Sequence, residues 1–129
     1  MDGVYTALRR HFGGFFTDFL GSETKDAAII FENSDIVKKR YLDGGCEYLL
    51  RFKLTFRGFF GRDEIKNAEN RNKQEQLAFA VINGNLPALP DRFKAVTLDV
   101  ASLTADCIDI RGETARYCVD CRFTFFGEG

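Results

Sequence analysis

Tryptophan is absent, histidine occurs once (His11), and the two prolines, Pro87 and Pro90, share one short linker in a chain of 129 residues. No window approaches the run of about 18 apolar residues that a membrane-crossing helix needs. Four cysteines, at 46, 107, 118 and 121, fall short of the density of a disulfide scaffold. The first residues show no basic segment followed by an apolar stretch and a small-residue cleavage site, so the expectation is a soluble, cytosolic protein with reduced thiols. A net charge of -1 excludes a global field that would draw the protein to nucleic acid or to an anionic membrane; any such contact has to be local. There is no phosphate-cradling glycine motif, internal repeat or low-complexity tract, and the pairs Gly13-Gly14 and Gly44-Gly45 speak only of backbone geometry.

What the chain does have is aromatic bulk: fourteen Phe and four Tyr, within a hydrophobic content of 45%. That is rich for a small domain, and some rings are free to face a neighbour. The low net charge gives little colloidal repulsion, which suits a protein that assembles. The length fits one domain over residues 1–129 with a single core.

The clearest pattern lies between 46 and 56, where Cys46, Tyr48, Leu50, Phe52, Leu54 and Phe56 alternate with Glu47, Leu49, Arg51, Lys53 and Thr55. A period of two marks a strand with one face in a core and the other open to water or a partner. At roughly 3.3 Å per residue it runs about 35 Å, longer than the usual strand of five or six residues. Before it, Ile36 to Leu42 is a more polar extended segment, and Asp43, Gly44 and Gly45 supply a turn, so the two are expected to form an antiparallel hairpin. Ala27 to Phe31 suits a short buried strand.

From Val4 to Leu20, apolar residues recur at spacings of three and four (Val4, Leu8, Phe12, Phe15, Phe16, Phe19), one stripe of a helix. Gly13 and Gly14 predict a kink, a break or close backbone packing within it. A second helix is expected over about 73–83, with a start as early as Asp63; Asn72 and Glu75 have capping-box spacing, and Asn83, Gly84 and Asn85 end it. Beyond the proline linker, Val96–Val100, Ile108–Arg111 and Ala115–Phe125 alternate as three further strands, with Gly112 and Glu113 turning between the last two. The order implies an α+β fold: a largely antiparallel sheet with a long β-hairpin and two helices packed on one face.

Chemistry is sparse. Cys118 and Cys121 have the spacing of a metal or redox motif, but residues three apart on a strand project to opposite faces and no second Cys or His pair accompanies them. Cys121 is expected in the core and Cys118 exposed. His11 has no nucleophile or acid partnered by a motif, and Asp106, Asp109 and Asp120 read as solvated strand faces. An enzyme site assembled from His11, Asp109 and Asp120 ranks last. No catalytic residue, cofactor or metal is therefore assigned.

The basic residues Lys38, Lys39, Arg40, Arg51, Lys53, Arg57 and Arg62 gather on the proposed hairpin. They form a solvated or protein-facing surface in preference to a stripe for phosphates, because readers of single strands place aromatics on the same face as the charge. Phe59 and Phe60 set two adjacent rings just past the long strand, where a contact surface competes with burial under the next helix.

The string from Ala27 to Phe126 resembles the minor capsid or tail terminator proteins of long-tailed phages and prophages. The resemblance rests on Ile29-Ile30-Phe31, on Lys39-Arg40-Tyr41-Leu42-Asp43-Gly44 leading into the long strand, and on Asn67 and Asn70. It continues with Asn85-Leu86-Pro87-Ala88-Leu89-Pro90 and with Tyr117 and Arg122 in the last strand. It implies a non-enzymatic subunit of a ring, typically a hexamer, that caps the tail tube, stops its polymerisation and offers a surface to the head connector. The implied setting is the host cytoplasm during assembly and then the virion, with DNA passing through the lumen unread and no membrane involved. The alternatives are a head–tail connector or minor capsid component, and a nucleic-acid module using the basic hairpin. Expected contact residues are Arg51, Lys53, Arg57, Phe59 and Phe60, followed by Lys38, Lys39 and Arg40.

Overall fold

The structure, a computed structural model, describes residues 3–20, 27–32, 37–42, 44–59, 64–109 and 114–127. Along the chain the elements are α1 (Val4–Leu20), β1 (Ala28–Phe31), β2 (Val37–Arg40), β3 (Cys46–Phe59), α2 (Glu64–Asn83), β4 (Phe93–Asp109) and β5 (Thr114–Gly127). The strands form one antiparallel sheet in the order β1-β3-β5-β4, with β2 also paired to β3. The fold is α+β, as the sequence pattern implies.

The long strand extends to Phe59 and lies inside the sheet, paired to β5 without a slip from Cys46↔Gly127 to Phe59↔Thr114. Its alternation survives on both strands because a period of two sends every second side chain to the same face. Leu50, Phe52, Leu54, Val119, Phe123 and Phe125 are fully buried on one side, and Phe56, Tyr117 and Cys121 nearly so. Rings meet directly across the strands: Tyr48 stacks on Phe125 at 5.2 Å and Phe56 on Tyr117 at 5.3 Å. Each fully buried Phe or Leu contributes roughly 1.5–3 kcal/mol.

The two helices cover that face. Val4, Leu8 and Phe12 of α1 are fully buried, and Phe12 packs on Phe52 with ring centroids 5.3 Å apart. α2 buries Asn70, Gln74, Leu77, Ala78 and Val81, a helical stripe whose first two members are polar. Gln74 Nε2 donates to the carbonyl oxygens of Thr104 (2.8 Å) and Cys118 (2.9 Å), fastening α2 to β4 and β5.

Several expectations are corrected. The helix runs unbroken through Gly13, which has nothing within 4 Å of where a Cβ would sit, so close packing does not explain that glycine. α2 starts at Glu64, which puts Asn72 and Glu75 in its interior and removes the capping box. Val96–Val100 and the start of the next expected strand, Ile108, are parts of the single strand β4, and the turn at Gly112 and Glu113 lies outside the described residues. The long hairpin is therefore β4–β5; β2–β3 is a short one whose turn uses Gly44 at φ +91 and a bond from Tyr41 N–H to Gly45 O of 2.8 Å. β1 is a half-exposed edge segment, not a buried strand.

Candidate assembly surface

The bare face of the sheet is built by the other alternating set. Arg51, Lys53 and Arg57 project from β3 on the side opposite the core, so three expected contact residues do share one surface. β5 adds Arg116 opposite Arg57 and Arg122 opposite Arg51, and β4 adds Asp99 opposite Arg122. All four arginines and Asp99 are exposed. Lys53 Nζ lies 3.8 Å from Asp120 Oδ1, and Asp120 Oδ2 accepts from the Ser102 hydroxyl at 2.6 Å. A half-exposed pair of that length is worth about 1 kcal/mol or less.

Between the long side chains the same face holds small residues that are buried: Thr55, Cys118 and Thr124. Cys118 was expected to be exposed and is not. It sits mid-sheet between Thr55 and Thr104, and flanking arginine and lysine stems shield a side chain this short. Cys121 is buried in the core as expected; burial, and then the Asp120 charge, push its thiol up to about 12.

The remaining expected contacts separate. Lys39 and Arg40 are exposed on β2, opposite Glu47 and Cys46, at the end of β3 away from Arg57. Glu47 and Arg57 are about 33 Å apart along an extended strand. Lys38 lies in β2 and Phe59 ends β3, with side chains outside the described ones; Phe60 and Arg62 lie outside the described residues.

His11 and Asp120 do not meet, and the side chain of Asp109 lies outside the described ones. His11 is in the helical layer, half-buried edge-on to Phe12, whereas Asp120 projects from the opposite face of the sheet and Asp109 ends β4 opposite Thr114. Burial lowers the His11 pKa, and a hydrogen bond with the Asn85 backbone partly opposes this. No group of three His, Cys, Asp or Glu able to hold a metal occurs among the described residues, and no described helix is long and apolar enough to cross a membrane.

A second surface was not read from the sequence. Phe79 (60% exposed), Ile82 (54%) and Leu86 (44%) stand out at the C-terminal end of α2 and just beyond it. Phe79 and Ile82 fall within the apolar stretch from Leu77 to Ile82, whose buried members are Leu77, Ala78 and Val81. The spacing of three between Phe79 and Ile82 was the available signal, since it defines a stripe offset from the buried one. At the tip of the β2–β3 turn, Leu42 is also fully exposed.

A single antiparallel sheet with two helices on one face and charged side chains on the other defines a two-layer α+β class. No protein-family model matches the chain, and no curated protein matches it in sequence. In fold it is similar to a chain in the solved structure described as the virion of a native gene transfer agent particle. The TM-score is 0.62 at 15% identity, over 97% of this chain and 92% of that one.

Proposed function

We propose that this chain is a structural protein of a long-tailed phage or phage-like particle, a ring-forming tail terminator that caps the tail tube, ends its polymerisation and presents a surface for head joining. The observation that carries the reading is the fold likeness, nearly end to end on both chains, to a component of a gene transfer agent virion. The surfaces support it. A closed ring needs two different complementary patches on each subunit, and this domain has an apolar one on α2 and a charged one on the bare sheet face, pointing to opposite sides of the molecule. In this role no catalytic residue or cofactor takes part, and DNA crosses the ring without being read. The working location is the host cytoplasm during assembly and then the virion.

The test is assembly on tail tubes. Added to polymerising tube protein, the chain shortens tubes and leaves a terminal ring; tubes of unchanged length with bare ends contradict the proposal. A head–tail connector or minor capsid role rests on the same likeness and predicts binding to the head portal complex instead of the tube. The nucleic-acid module has its own support, the gathering of Arg51, Lys53, Arg57, Arg116 and Arg122 on one face. It predicts salt-sensitive DNA binding that falls when Arg51, Lys53 and Arg57 are replaced.

A further inference from the structure

Register places two pairs of like charge side by side on the bare sheet face. Arg51 of β3 stands directly opposite Arg122 of β5, and Arg57 directly opposite Arg116. Like charges in such positions oppose folding, because side chains on directly opposed residues start only about 5 Å apart. At Arg51 and Arg122, acidic residues complete the row at both ends. Glu32 lies beside Arg51, its N–H bonded to the Arg51 carbonyl at 3.1 Å, and Asp99 lies opposite Arg122. Neither arginine forms a salt bridge with them, whereas Lys53 and Asp120 pair in the adjacent row. Both arginines line an open hollow of about 260 Å³, together with Glu32, Ala101, Asp120 and Cys121.

We propose that this hollow receives a carboxylate side chain from a partner protein, held between the guanidinium groups of Arg51 and Arg122. The planar fork of arginine matches a carboxylate in two parallel hydrogen bonds, and two facing forks satisfy both of its oxygens. A carboxylate there also relieves the repulsion between the arginines. The frame selects the anion: Asp120 in the lining is already engaged by Lys53 and the Ser102 hydroxyl, and with acids at both ends of the row the positive charge is confined to the two arginines, which suits a discrete carboxylate. A continuous phosphate backbone would have to pass Glu32 or Asp99, and among the described residues the positions flanking Arg51 and Arg122 on this face carry no ring for a base to stack on. The Arg57–Arg116 pair, about 20 Å further along the strands, offers a second point of attachment for an acidic surface. The inference does not depend on the tail-terminator reading, since any acidic protein segment serves.

The test titrates the full chain with a hexaglutamate peptide at low salt, followed by amide chemical shifts, with a hexaglutamine peptide and a 20-base-pair DNA duplex in parallel. The proposal expects hexaglutamate to shift residues around Arg51 and Arg122 and hexaglutamine to leave them in place. It expects Arg51→Gln with Arg122→Gln to weaken the affinity at least tenfold. Both arginines are exposed, so the double variant keeps or raises the thermal midpoint, which separates loss of binding from loss of fold. Hexaglutamate binding that matches the hexaglutamine control, or that survives the double substitution, overturns the proposal. Tighter binding of the duplex at the same ionic strength also overturns it and makes the face a phosphate-contacting one.

Discussion

Gly58 in β3 and Asn70 in α2 are packed so closely that a Cβ on Gly58 would lie 2.6 Å from Asn70 Nδ2 and 2.7 Å from its Cγ. The helix reaches the strand there because one residue has no side chain and the other has a short one. Asn70 is buried, so its amide cannot swing away into solvent. Gly58→Ala is expected to destabilise by about 1–3 kcal/mol through overpacking. In an Asn70→Ala background the same change costs less, and a double-mutant cycle by denaturant unfolding measures the coupling.

Gln74 is the other polar residue that α2 spends on the sheet. Its amide serves carbonyl oxygens from two neighbouring strands, Thr104 of β4 and Cys118 of β5. Gln74→Leu keeps the bulk and removes both donors. The expected loss is about 1–3 kcal/mol, the cost of leaving unmet a buried acceptor at Cys118 and a part-buried one at Thr104, with amide exchange in β4 accelerating more than in α1.

The Cys121 thiol gives stability a slope at alkaline pH. Its folded pKa is raised from 9.0 to about 12, so the folded state binds a proton that the unfolded chain releases. That contribution is whole below pH 9 and is lost as pH climbs through the window from 9 to 12, at up to about 1.4 kcal/mol per pH unit. Cys121→Ala flattens the slope, and the native thiol resists alkylation at pH 8 until the protein is unfolded.

His11 acts at the opposite end of the scale. Burial lowers its pKa below 6.5, so the unfolded chain takes up a proton more readily than the folded one. Stability is therefore full above pH 6.5 and declines as pH falls from there towards the lowered folded value. His11→Gln reduces the decline, as read by thermal midpoints between pH 7 and pH 5.

The legible parts of the fold were those where one hydrophobic period ran without interruption. Val4, Leu8 and Phe12 gave α1, and Cys46 to Phe56 gave β3. The start of α2 was bracketed only between Asp63 and residue 73, because its buried stripe there is Asn70 and Gln74, which a hydrophobicity pattern counts as solvent-facing. β4 was broken into pieces for a different reason. Register shifts between Ala95 and Thr97, Val100 and Ser102, and Cys107 and Asp109 insert extra residues, and each reverses the alternation. They also account for a strand of 17 residues matching one of 14. Of the surface, Arg51, Lys53 and Arg57 were legible from period alone. Their partners Arg116 and Arg122 needed the β3–β5 register, which no local pattern contains, and Cys118 needed the width of the sheet.

Capping of tail tubes, followed by electron microscopy, tests the central claim most directly. Tube protein polymerised with this chain is predicted to give shorter tubes ending in a ring. Phe79→Asp with Ile82→Asp should abolish the ring while leaving the thermal midpoint within a few degrees, because both side chains are exposed. Tubes of unchanged length and bare ends, with the chain remaining a monomer at high concentration, would contradict the account.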